Sequence, residues 1–191
     1  MGTTREALVE AAAELMDAGG LEAVTLREVG RLAGVSHNAP YKHFADKETL
    51  LAAVAARELT ERGSALAGLM AGRRPPGGAV RAALHGYVQW ALARPVRFKL
   101  VYGPWSKGTP ELGAAATATR GLFVEMVDGA QRDGLLPAGD PERLTALLLA
   151  LAHGAVDLAL AGHLSAEGKG RAGPADLVDD LFEYLRGGPT G

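Results

Sequence analysis

Asn38, Tyr41, Lys42 and Lys47 bring an amide, a phenol and two ammonium groups into one short stretch of chain. An amide can make a paired hydrogen bond to adenine in the DNA major groove. A phenol or an ammonium can donate to phosphate oxygens. Arg27 and Arg31 lie just upstream. Residues 25–47 set these four cations against Glu28 and Asp46, a net +2. Residues 1–24 set Arg5 alone against Glu6, Glu10, Glu14, Asp17 and Glu22, a net −4, and the whole chain carries −2. A local basic patch on a mildly acidic chain fits specific contact with a polyanion better than general adhesion to one.

Other chemistry finds little support. There is no G-x-S-x-G, no H-E-x-x-H and no phosphate-binding P-loop. Gly168, Gly170 and Gly173 match a dinucleotide fingerprint by letters only, because no strand pattern precedes them. His85, His153, His163 and Asp157 lack metal-ligand spacing. The sequence therefore predicts no enzyme, no cofactor and no metal site. The 191 residues contain no cysteine, which excludes disulfides and thiolate metal sites and suits a reducing cytoplasm. MGTTREALVEAAAELM is amphipathic and acidic, so no secretory leader is expected there. The most apolar stretch, Leu144 to Leu164, carries His153, Asp157 and His163, and reads as a buried helix with no membrane role.

The elements that must position the basic patch are helices. Alanine and leucine abound, and no strand-like alternation persists. The punctuation predicts nine helices in two domains, residues 1–61 and 79–186, an all-α fold. Helix 1 spans about Thr4 to Ala18 and stops at Gly19-Gly20, with Leu21 to Val24 a connector. Thr25 and Glu28 form a capping box for helix 2, which ends at Gly34. Ser36 caps helix 3, which runs to about His43, and Asp46 caps helix 4, about Lys47 to Met70. AGRRPPGG, residues 71–78, breaks the chain between domains. Helices 5 and 6 cover about Ala79–Ala93 and Pro95–Gly103, and helix 7 about Glu111–Asp133. Asp140 and Pro141 start helix 8, which reaches about Gly162. Helix 9 is Pro174–Arg186, and the last five residues should fray.

Residues 24–43 thus contain two short helices joined by Ala33-Gly34-Val35. Val35 should face inward with Leu26, Val29 and Phe44 and fix the helices at an angle. That is a helix-turn-helix, whose second helix fits the major groove while the first braces it.

At this point the sequence resembles the DNA-binding domain of the TetR family of regulators. The resemblance rests on Ala11 to Leu15, on GGLEAVTLREV, on the AGVS turn, and on Tyr41 to Phe44 followed by Asp46-Lys47-Glu48 and Leu50-Leu51. It implies that Thr25, Tyr41 and Lys47 hold phosphates. It implies that His37, Asn38, Pro40 and Lys42 face base edges or the flanking backbone. Arg27 and Ser36 complete the expected DNA-binding set. Pro40 stands where an aliphatic residue is commoner and could touch a thymine methyl. His43 is expected to pack inside or to hydrogen-bond within the domain.

Residues 79–186 resemble the family's effector-binding and dimerisation domain. Ala93 to Gly103 and Leu149 to Leu164 resemble helix 6 and the His-Gly helix of one subgroup, although small and aliphatic residues stand where that subgroup usually has a tryptophan. The few aromatics concentrate between residues 87 and 123. Trp90, Phe98, Tyr102, Trp105, Phe123, Met126, His153 and Asp157 are the candidates for a pocket holding an unknown small-molecule effector. Each could instead be ordinary core, with His153 paired to Asp157. Leu147, Leu151, Ala155 and Leu158 on helix 8, with Leu177, Leu181 and Phe182 on helix 9, are the candidate homodimer interface, a four-helix arrangement by resemblance. The expected partner is double-stranded operator DNA, and the expected action is repression, relieved when ligand shifts helix 6 and, through it, helix 4. The competing reading is a helical adaptor or small-molecule binder that never meets DNA.

Overall fold

The computed structural model describes residues 3–72, 76–106, 108–168 and 170–185. Residues 73–75 of the expected junction and residues 186–191, including the expected end of helix 9 and the frayed tail, lie outside the described residues. Among the described residues there are nine helices and no strand: α1 (Thr4–Ala23), α2 (Leu26–Leu32), α3 (Ala39–His43), α4 (Lys47–Ala71), α5 (Pro76–Ala93), α6 (Pro95–Tyr102), α7 (Pro110–Arg132), α8 (Pro141–Leu160) and α9 (Pro174–Leu185).

Proline opens α5, α6, α7, α8 and α9. Its fixed φ is already helical, and the N–H it lacks would have no partner in a first turn. Capping side chains set several starts. Asp140 accepts from the backbone N–H of Glu142 at 2.9 Å, as expected for α8. Thr3 and Glu6 form a full capping box on α1, with bonds of 3.2 and 2.6 Å. The box expected on α2 is half made. Thr25 accepts from Glu28 N–H at 3.1 Å, but the Glu28 carboxylate turns to Arg31 at 2.8 Å.

The chain forms two compact units. The first contains residues up to Arg62 together with Arg94–Ala118, and the second contains Gly63–Ala93 and the residues from Thr119 onward. In the first, α1 packs on α2, α3 and α6. Leu8, Ala12, Met16, Val24, Val29, Leu50 and Val54 are fully buried there. Removing each such leucine or methionine from water contributes about 1.5–3 kcal/mol, which holds the short α2 and α3 in helical form when neither would persist alone. In the second unit, α5, α8 and α9 pack pairwise around Val80, Leu84, Leu148, Val156, Val178 and Phe182.

By length and composition α8 is apolar enough to cross a membrane, with mean hydropathy 1.5 over an 18-residue window of which 28% is buried in one chain.

Candidate nucleic-acid interface and effector region

The helix-turn-helix hangs from the end of α1. At Gly19 and Gly20 the backbone leaves helical geometry, and Gly20 takes φ 73° and ψ −174°. That region is open essentially to glycine alone. The chain resumes one helical turn, and the Leu21 carbonyl accepts from Val24 N–H at 3.3 Å and from Lys47 Nζ at 2.6 Å. Gly34 supplies the left-handed residue of the turn after α2, with φ 66°. Val35 N–H returns to the Gly30 carbonyl at 3.1 Å, and Ala39 N–H to that of Ser36 at 2.9 Å.

The approach of α3 to α2 explains Pro40. A Cβ on Gly30 would lie 2.8 Å from Pro40 Cγ. Pro40 is buried, so the expectation that it faces the groove is corrected. The absent side chain at 30 lets its ring lock the two helices together. Ser36 is also corrected as a cap: α3 begins at Ala39, with Asn38 at the cap position and no side-chain capping bond. Pro40 lacks the N–H that such a cap would serve. His43 is exposed rather than inside, its ring 6.5 Å from that of Phe44.

Of the remaining expected contacts, Thr25, Arg27, Ser36, His37, Asn38, Tyr41 and Lys42 are all exposed. Tyr41 is 53% exposed, and its ring lies 6.0 Å from that of His37. Lys47 is half-buried at the start of α4, beside the Asp46 cap, which accepts from Thr49 N–H at 2.8 Å. Phe44 anchors the platform from beneath, 3% exposed, with the Arg5 guanidinium 5.3 Å from its ring centroid. The surface is therefore polar and cationic outside and apolar inside, which suits phosphate and base-edge contact.

The first unit also holds an ion network that the sequence reading missed. Arg97 on α6 donates from Nε and Nη2 to the Asp17 carboxylate at 2.9 and 2.5 Å, and from Nη1 to Glu58 at 2.6 Å. Arg97 is 8% and Glu58 1% exposed. Burial disfavours the charged guanidinium, but the bonds to Asp17 and Glu58 outweigh it and hold its pKa above the ordinary arginine value. Ser106, in the turn after α6, donates to Glu48 at 2.6 Å, and Arg5 pairs with Glu111 at the start of α7.

The expected pocket residues divide between the units. Phe98, Tyr102 and Trp105 belong to the first. Phe98 is buried and Tyr102 is 42% exposed, their rings 5.6 Å apart. Trp105 Nε1 is buried with no hydrogen-bond partner among the described residues. Trp90, Phe123, Met126, His153 and Asp157 belong to the second. Phe123 and Met126 are core there, each 4% exposed. His153 shares a hydrogen bond with Tyr87 at 2.8 Å and lies 3.5 Å from Asp157. A separate open cleft of about 300 Å³ at the α7–α8 turn, lined by Gln131, Pro137, Asp140, Arg143 and Leu147, includes none of the expected pocket residues.

Two family models match the chain. Residues 8–54 match one described as bacterial regulatory proteins, tetR family. Residues 80–185, more than half the chain, match one described as tetracyclin repressor-like, C-terminal domain. The chain belongs to the TetR family. It is accordingly a DNA-binding transcription regulator, and the family works by binding DNA rather than by catalysis. A solved protein of unknown function from Rhodococcus sp. RHA1 is 29% identical, with TM-score 0.81, covering 97% of this chain and 94% of that one. A TetR/AcrR-family transcriptional regulator from Thermobifida fusca shares the fold at 22% identity and TM-score 0.69, covering 98% of each chain. The fatty acid degradation regulator FadR from Bacillus halodurans does so at 13% identity and TM-score 0.74, covering 100% of this chain and 98% of that one. A search of curated proteins returned no match.

The interface expectation for this TetR-family chain needs two corrections. Ala155 and Phe182 are 3% and 2% exposed within one chain, so they fill its own core. The outward apolar residues include Leu147, Leu158 and Leu160 on α8, 68%, 48% and 37% exposed, and Tyr184 on α9, 66% exposed. Leu151, Leu177 and Leu181 are half-buried beside them. Spacing placed a stripe on each helix, but two faces of an apolar helix differ by one turn position, and only packing tells them apart.

Proposed function

We propose that this regulator binds a palindromic operator as a homodimer and represses transcription until a small apolar effector releases it. One observation carries the DNA-reading part: Thr25, Arg27, His37, Asn38, Tyr41 and Lys42 are exposed together on a helix pair locked by Pro40 against Gly30. Asn38 and Lys42 would face bases, and Thr25, Tyr41 and Lys47 would hold phosphates.

Dimerisation is supported by α8, an apolar helix with 28% of its 18-residue window buried in one chain and with Leu147 and Leu158 exposed. A second copy would pair α8 and α9 with their counterparts, and the symmetry matches two half-sites one DNA turn apart. Effector binding is supported by the aromatic residues around α6 and by Trp105 Nε1, buried with no partner among the described residues. A buried donor without an acceptor costs about 1–3 kcal/mol, which a ligand acceptor would remove. Ligand would then favour a spacing of the two recognition helices that no longer fits successive grooves.

The test is selection of duplexes from a random pool by the purified chain, with sedimentation run alongside. The expected result is one enriched inverted repeat bound by a dimer. A monomer that enriches no sequence would refute the reading and leave the adaptor alternative standing.

A further inference from the structure

Arg97 makes two unequal attachments. Glu58 is 1% exposed, and its carboxylate lies 3.9 Å from Arg57 Nη2 as well as 2.6 Å from Arg97 Nη1, so this end of Arg97 is held in a buried ion cluster. The Asp17 side chain is 43% exposed and can turn to water if released. Arg97 can therefore pivot about Glu58 while its bidentate grip on Asp17 makes or breaks. A planar fork fixes direction as well as distance, so the grip sets where the end of α1 points.

That end is where the DNA-reading elements begin. Asp17 lies two residues before Gly19 and three before Gly20, the residues at which α1 leaves helical geometry. Beyond the break, the Leu21 carbonyl takes Lys47 Nζ, and Thr25 caps α2. Asp17 is thus the last side chain of continuous α1 fastened before the chain is free to turn.

We propose that Arg97 is a positioning residue for DNA reading: by gripping Asp17 it sets the end of α1 from which the helix-turn-helix hangs, and a displacement of α6 reaches α2 and α3 through the Gly19–Gly20 break. The inference rests on the DNA-binding reading above. A merely structural pair could be replaced by packed apolar residues with little loss, whereas a latch needs the directional grip.

Asp17→Asn and Arg97→Lys test it, with Arg97→Met/Glu58→Met as the variant that empties the buried pair. Each is compared with wild type by thermal unfolding, by affinity for the enriched duplex relative to a scrambled one, and by amide hydrogen exchange. Asp17→Asn should unfold within about 4 °C of wild type, as loss of a half-exposed pair implies. Its specific-to-scrambled affinity ratio should fall about tenfold, and exchange should rise in Ala39–His43, beyond the glycine break, as well as in α6. Arg97→Lys should follow it. The double methionine variant should lose the ratio even where its unfolding temperature recovers. A wild-type ratio in Asp17→Asn, with exchange altered only around residues 17 and 97, would overturn the proposal. If wild type enriches no duplex, the DNA reading falls, and the exchange pattern in Ala39–His43 still decides the latch.

Discussion

Lys47 is the residue with two uses. Its ammonium bonds the Leu21 carbonyl at 2.6 Å, and its place at the start of α4 suits a phosphate. Lys47→Ala should weaken operator binding and lower the slope of log affinity against log salt by about one per half-site, because each lost phosphate contact retains its counterion. Fluorescence anisotropy across a salt series checks this, and an unchanged slope would leave Lys47 a purely internal tie. Asp179 on α9 makes the second residue-scale case. Arg81 Nε donates to it at 2.7 Å and His85 Nε2 at 2.5 Å. The bond from Arg81 leads in holding the carboxyl below the usual aspartate range, with His85 adding to it against some burial. A lowered native pKa contributes stability above the unfolded value, and that contribution is lost as pH falls through the native one. The stability difference between wild type and Asp179→Asn should therefore be constant near neutral pH and shrink below about pH 4. The pair is partly exposed, so its plateau should be small. Denaturant unfolding at stepped pH measures it.

Gly30 decides whether α2 and α3 can meet. A Cβ there would lie 2.8 Å from Pro40 Cγ, a ring atom that cannot swing aside. Gly30→Ala should cost about 1–3 kcal/mol of stability by overpacking and weaken operator binding by shifting α3. An unchanged unfolding midpoint would show that the helices part freely. At this scale much was legible beforehand. Asp46, Asp140, Pro95, Pro141 and Pro174 declare their helices in the sequence, because a cap is a local interaction within three residues, whereas Pro76 reads as part of the break yet opens α5. The start of α3 was not, since Ser36 reads as a cap while Pro40 removes the need for one. Pro40 itself was misplaced because burial against Gly30 is a contact ten residues away that no periodicity encodes. The Arg97 network was invisible for the same reason: Asp17, Glu58 and Arg97 are brought together only by packing.

For the whole molecule, the question is what covers α8. Leu147→Glu with Leu158→Glu places charge on the exposed apolar face, 68% and 48% exposed in one chain. Sedimentation should then show a folded monomer, whereas a persistent dimer would move the interface elsewhere. Phe182→Glu should instead unfold the second unit, since Phe182 is 2% exposed in its own core. The sequence conveyed the all-helical fold and the DNA-reading motif because both rest on short-range patterns. It did not convey the association of α6 and the first turns of α7 with the N-terminal helices in one unit, which depends on contacts across some eighty residues such as Arg97 with Asp17.

The most direct measurement follows base discrimination at the exposed side of α3. Wild type and an Asn38→Ala/Lys42→Ala variant would be titrated against every single-base change of the enriched operator. The expected result is a variant that still folds and still binds, but that has lost about 1–3 kcal/mol of discrimination at one or two positions in each half-site. An identical discrimination profile for the two proteins would mean that α3 does not read bases.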